Sequence, residues 1–172
     1  MGRYRPPQKK GSPYITPEGK ARLTDELRFL SESKRPEVTK ALSEAAAEGD
    51  RSENAEYIYR KKQLREIDSR IRYLVKRLEV LKSVEQKPDD QSRVFFGAWV
   101  ELIDESDNLV RYRIVGPDEI ETNRGWISVD APMARAMLKK TVGDEVFVKT
   151  PKGEYYYEIN AVRYEPFTEE TP

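Results

Sequence analysis

Six apolar residues, Leu64, Ile67, Ile71, Leu74, Leu78 and Leu81, recur at alternating spacings of three and four. That period places them on one stripe of an α-helix, the seam of a coiled coil. A helix with a single apolar stripe has to bury it against another helix. A partner lies just upstream, where Leu23, Leu27 and Leu30 and then Val38, Ala41/Leu42, Ala45 and Ala46 keep helical spacing as far as Gly49. Gly49 suits a helix C-terminus. Only a few residues around Gly49-Asp50 join the two helices, so they fold back on each other as an antiparallel hairpin. Thr16-Pro17-Glu18-Gly19 reads as the start of the first helix, with Thr16 as N-cap and Pro17 at the first helical position. Pro36 interrupts the stripe and predicts a kink or restart near Lys34-Arg35-Pro36.

Composition supports an extended helical part joined to a small globular part. In 172 residues the apolar share is 37% and the charged share 36%, poor in core formers for one compact domain. After Ser92 the texture turns to strands: 98–103 and 110–115 as a hairpin, then 126–129, 145–149 and 155–164, with a turn at Thr150-Pro151-Lys152-Gly153. One short helix, Pro132 to Lys140, interrupts them. The fold class expected is two-domain α+β, an antiparallel coiled-coil hairpin followed by a small, mostly antiparallel sheet with one short helix. The division reads as a basic arm at 1–13, the hairpin at 14–86 with its tip at 49–57, a linker at 87–92, the second domain at 93–165 and a tail at 166–172. No internal repeat is evident.

The absent residue types exclude whole classes of chemistry. Without cysteine there is no disulfide framework and no thiolate metal site, as suits a reducing cytoplasm. Without histidine there is no Ser-His-Asp or Cys-His arrangement and no imidazole zinc site. Any metal chemistry has to use carboxylates, which favours magnesium. No apolar run approaches the ~20 residues of a membrane span, and no signal-peptide core follows Met1. The zero net charge conceals an uneven distribution: residues 1–20 carry five Lys/Arg against one Glu, and residues 50–82 carry ten basic against six acidic residues. A neutral total therefore does not exclude a nucleic-acid partner.

Three groups of side chains carry candidate chemistry. Asp50 and Glu53 form a carboxylate pair at the hairpin tip. Asp50-x-x-Glu53 before a helix has the pattern of a capping box, and the same pair can supply oxygen ligands to magnesium. The two roles can coexist. Lys61, Arg65, Arg72 and Lys76 fall within an arc of about 60° on the second helix, away from its seam. They read either as a solvated face laced with ion pairs or as a track for phosphates. Tyr57 and Tyr59 beside the tip could stack on a base, with core packing the other reading for Tyr57. Asp130-Ala131-Pro132 has the form of a helix entry. Phe95, Phe96, Trp99 and Trp126 read as core.

Gly49-Asp50-Arg51-Ser52-Glu53-Asn54-Ala55-Glu56-Tyr57 resembles the hairpin-tip motif of the Gre transcript-cleavage factors. Arg65-Glu66-Ile67-Asp68 and residues 94–100, VFFGAWV, resemble the GreB branch rather than the GreA branch. Residues 130–140, DAPMARAMLKK, with Val142-Gly143-Asp144 behind them, are similar to the family's C-terminal signature, although Ala131 stands where the family usually has serine. The resemblance implies a hairpin that enters the secondary channel of RNA polymerase and an FKBP-like second domain at the channel's rim. It implies a monomer that is no enzyme by itself but stimulates the polymerase's own cleavage of backtracked RNA. Asp50 and Glu53 would hold a magnesium ion shared with the polymerase; Lys61, Arg65, Arg72 and Lys76 would contact the RNA 3′ segment; Asp130 and Pro132 would touch the polymerase. The alternatives are a channel regulator that inhibits the polymerase without promoting cleavage, a proline isomerase suggested only by the FKBP-like domain, and a coiled-coil adaptor.

Overall fold

A computed structural model describes residues 11–49 and 53–167. The chain divides into two compact units, Glu18–Leu81 and a second that joins Met1–Pro17 to Lys82–Pro172. The first unit is a helical hairpin. Helix α1, Pro17–Phe29, and helix α2, Arg35–Ala47, are joined by a π-helical turn, Leu30–Lys34. Helix α3, Ala55–Val80, runs 26 residues. The kink or restart expected near Pro36 takes the form of that π turn. Pro36 has no N–H to donate, and its ring would clash with the carbonyl four residues back in a regular helix. The turn instead closes an i to i−5 bond, Arg35 N–H donating to Leu30 O, and the chain stays right-handed helical through Phe29, Lys34 and Arg35.

The seam is buried as its spacing requires. Helix α3 packs along α2 and the π turn. Along α3, Ile67, Leu74 and Leu81 are buried while Leu64, Ile71 and Leu78 are half-buried. Val38 and Ala45 are the buried residues of α2. Helix α2 ends at Glu48, whose N–H donates to Ala45 O, and Gly49 follows with φ 142°. That dihedral favours glycine.

The second unit holds two sheets. Strands β1, Tyr14–Ile15, and β2, Lys82–Ser83, pair in parallel. Residues 14–15 and 82–83, read from sequence as part of the hairpin, therefore pack in the second unit. Two carboxylates fasten the incoming chain there: Glu119, 1% exposed, accepts from Thr16 N–H at 3.0 Å, from the Thr16 hydroxyl and from Gly116 N–H at 2.9 Å. Asp130 accepts from Ser12 N–H at 2.8 Å and from the Ser12 hydroxyl.

The larger sheet has the order β5-β4-β3-β7-β6, formed by β3, Trp99–Asp104, β4, Leu109–Val115, β5, Trp126–Ser128, β6, Glu145–Thr150, and β7, Gly153–Arg163. It is antiparallel except where β5 runs parallel to β4, so the sheet is mixed. Val100, Leu102, Ile114, Val146, Val148 and Ile159 face a core completed by Ala134 and Met137 of helix α4, Pro132–Met137. Helix α4 stops three residues short of the expected Lys140. Lys139 takes a left-handed conformation, its N–H donates to Val94 O, and Val94 N–H donates to Lys140 O. Pairing with residues 93–94 thus claims this segment.

The aromatic residues correct the sequence reading. Trp99 and Trp126 are half-buried, and strand alternation turns them away from the core lined by Val100 and Ile127. The Arg113 guanidinium lies between them, 5.1 Å and 4.8 Å from their ring centres. Phe95 and Phe96 are also only half-buried, Phe96 lying 6.0 Å from the Tyr14 ring.

Burial on the seam predicts a sharp contrast between neighbours. Leu74 is fully buried and Val75 is 42% exposed. Leu74→Ala should destabilise the hairpin by about 2–5 kcal/mol. Val75→Ala should stay within roughly 0.5 kcal/mol of the parent. Urea unfolding followed by helical circular dichroism measures both.

Candidate functional site

The tip is where the loop from α2 enters α3. The structure assigns the N-cap of α3 to Asn54, not to Asp50. Its Oδ1 accepts from Tyr57 N–H at 3.0 Å, and its Nδ2 donates to Ala45 O at 2.8 Å, near the end of α2. One side chain therefore caps α3 and ties it to α2, and the two bonds fix which amide atom points where. Asp50 lies outside the described residues. Glu53 directly precedes the cap, is exposed, and has no hydrogen-bond or ion-pair partner among the described residues. The described cap lies four residues after Asp50, on a residue type that suits it at least as well, while the Asp50–Glu53 bonds of a capping box lie outside the described residues.

Behind the tip runs the basic track. Lys61, Arg65, Arg72 and Lys76 are all exposed on α3. From first to last they extend about 22 Å at 1.5 Å per residue. Several other cations of the hairpin are matched. Arg35 meets Asp68 at 2.8 Å, Arg60 meets Glu56 at 2.7 Å, and Arg70 forks onto Glu26 at 2.7 Å and 2.8 Å. The Arg70 hydrogen bond, outweighing partial desolvation, holds the Glu26 carboxyl below the usual carboxylate range. Arg65, Arg72 and Lys76 have no such partner among the described residues. Lys61 lies 5.7 Å from the Tyr57 ring centre. Tyr57 is half-buried, whereas Tyr59 is 57% exposed with Arg60 5.4 Å from its ring. Tyr59 is thus the ring available for stacking.

Asp130 and Pro132 belong to the other unit. Asp130 is half-buried with its carboxylate latched to Ser12, while Pro132 is exposed at the start of α4. Ala131 is the N-cap of α4 and makes no side-chain cap bond. The structure therefore gathers Glu53 and the track on one hairpin and leaves the Asp130 corner on a separate surface. Sequence reasoning missed Asn54 and the Ser12–Asp130 latch. For Asn54 the signal was available, an Asn directly before a long helix.

Among the described residues no cluster of three or more Asp and Glu could hold a metal ion, and no helix is long and apolar enough to cross a membrane.

The described chain is thus a helical hairpin with an acidic residue ahead of its second helix, followed by a mixed-sheet domain. Residues 13–82 match the family described as transcription elongation factor, N-terminal, and residues 88–164 match transcription elongation factor, GreA/GreB, C-term. The chain belongs to the GreA/GreB family of transcription elongation factors. It is 58% identical over 166 residues to transcription elongation factor GreB of Pseudomonas aeruginosa, covering 96% of this chain and 99% of that one. It is 59% identical over 165 residues to transcription elongation factor GreB of Xanthomonas axonopodis pv. citri, covering 95% and 98%. These relatives put it on the GreB side of the family. GreA factor homolog 1 of Thermus thermophilus, a solved structure, shares 27% identity over 87% of this chain and 97% of that one, at a TM-score of 0.39.

The cap assignment has a direct test. Asn54→Ala should cost about 1 kcal/mol or more, since it removes both the cap and the tie to Ala45. Glu53→Ala, which removes the acceptor a capping box would need and which Gln would keep, should leave stability within a few tenths of a kcal/mol. Thermal unfolding of the two variants distinguishes them; an equal loss in both would return the capping role to Glu53.

Proposed function

We propose that this chain binds RNA polymerase, places its hairpin in the secondary channel, and stimulates the polymerase's own endonucleolytic cleavage of backtracked RNA. The observation that carries the reading is that Asn54 takes the capping duty and leaves the Glu53 carboxylate exposed and without a partner among the described residues. Carboxylate oxygens suit magnesium, which keeps several waters and needs only one or two protein ligands when other groups supply the rest. With Asp50, Glu53 would complete a site the polymerase already half provides. The chemistry magnesium supplies when bound there is activation of water and stabilisation of the leaving oxygen in phosphodiester hydrolysis. The chain is therefore no enzyme alone and holds magnesium only in company.

The exposed track then serves the RNA. Arg65, Arg72 and Lys76 on α3 have no ion-pair partner among the described residues, and with Lys61 they would follow the phosphates of the extruded 3′ segment. Polymerase binding at the rim falls to the second unit, whose five-stranded sheet with a short helix across it supports an FKBP-like assignment. Pro132 would make the contact, and Asp130 would hold the chain at Ser12 beside it. We place the factor in the cytoplasm as a monomer. An inhibitor that shares the architecture would have no use for a free tip carboxylate, which favours cleavage.

Replacing Arg65, Arg72 and Lys76 with Glu should slow cleavage in deeply backtracked complexes by about tenfold or more at moderate salt. Dinucleotide release from shallow complexes should suffer less, and unfolding should be unchanged because these positions lie off the seam. Gel analysis of labelled RNA from stalled complexes measures both substrates. Equal loss on the two would assign the track to docking instead of RNA, and no stimulation by the parent protein would select the inhibitory reading.

A further inference from the structure

The tip poses a mechanical problem that its carboxylates do not solve. A ligand must be held within about 0.5 Å of its productive position, and a loop between two helix ends offers little stiffness. Glu53 makes no bond of its own among the described residues, so its position depends on what fixes the backbone beside it.

Asn54 is that fixture. Its amide is shared between two helix ends, accepting from Tyr57 N–H in the first turn of α3 and donating to Ala45 O in the last turn of α2. Ala45 O also accepts from Glu48 N–H at 3.3 Å, so the bridge meets α2 at the carbonyl that closes its final turn. Ala45 is 3% exposed, which anchors this end in the packed part of the hairpin. Asn54 itself is half-buried at φ −85° and ψ 100°, extended backbone that aims the preceding residue away from the helix.

Building on the reading above, we propose that Asn54 is the positioning residue of the tip, setting the spacing of the two helix ends so that Glu53 is presented to magnesium at a fixed place. A cap alone would not do this. Asp and Ser cap as well as Asn does, but neither has an amide N–H to give Ala45 O. Only a side chain with an acceptor and a donor of this length serves both helices.

The separating variant is Asn54→Ser, which keeps a cap oxygen for Tyr57 N–H but puts its only donor, the hydroxyl, at the place of the Asn54 Cγ, one bond short of the position from which Nδ2 reaches Ala45 O. In the free protein, amide hydrogen exchange should remain slow at Tyr57 and accelerate at Glu48, whose N–H shares the Ala45 O acceptor. The variant should compete with the parent for polymerase at equal concentration. In cleavage assays at saturating factor, the magnesium concentration for half-maximal rate should rise on the order of tenfold, with the maximal rate largely regained at high magnesium. A purely structural role would not shift magnesium dependence in this way. Unchanged exchange at Glu48 together with unchanged magnesium dependence would overturn the proposal. Glu53→Gln, run alongside, separates the two levels. If Glu53→Gln stimulates like the parent, the carboxylate reading itself falls; if it is inactive while Asn54→Ser matches the parent in magnesium dependence, only the positioning role falls.

Discussion

A helix of 26 residues with one apolar stripe cannot remain alone in water, and the helix that packs on this one is the one just before it in the chain. That constraint places the tip. Once Ile67, Leu74 and Leu81 are buried, α2 and α3 lie side by side, with seven residues of sequence between Ala47 and Ala55. Gly49 supplies the dihedral and Asn54 closes the far side by bonding to both helices. Glu53 owes its exposure to this packing: the seam brings the helix ends together, and the cap then falls on its neighbour.

The same hairpin sorts its charges. Arg35, Arg60 and Arg70 are spent on ion pairs, two of them between helices, with Asp68 and Glu26 as partners. Exposed pairs of this kind contribute little to stability, typically ~0–1 kcal/mol each. Their effect is to neutralise that part of the surface. What remains is a row on α3 whose charge is not offset locally, on the same unit as the tip. A solvated helix face of no further use would be expected to pair most of its cations with neighbours, as the rest of this hairpin does.

Much of the architecture was legible in the sequence because it depends on periodicity. The α3 seam, the end of α2 near Gly49, and the main strands follow from spacings of 3.5 and 2, which hold whatever lies around them. What escaped depends on contacts between distant residues. The π turn before Pro36 was visible only as an interruption. The Trp99–Arg113–Trp126 stack sits outside the core because β5 lies parallel beside β4, a pairing that composition does not announce. The buried Glu119 serves Thr16, which lies 103 positions away in sequence. At the tip, the Asp50-x-x-Glu53 spacing imitated a capping box, and the cap fell instead on Asn54 because its amide could satisfy two helix ends together.

The central claim is that Glu53, just ahead of the α3 cap, works at the polymerase's catalytic centre. The chain contains no cysteine, so Glu53→Cys creates a unique attachment point. A short photoreactive or disulfide-forming group placed there, with Glu105→Cys on the turn after β3 as the control, can be tested against backtracked complexes carrying a reactive RNA 3′ nucleotide. The account predicts that the group at position 53 crosslinks to the RNA 3′ end and to polymerase segments lining the active site, while the group at position 105 does neither. Crosslinking from position 53 confined to the outer surface of the polymerase, or no stronger to the RNA than from position 105, would contradict it.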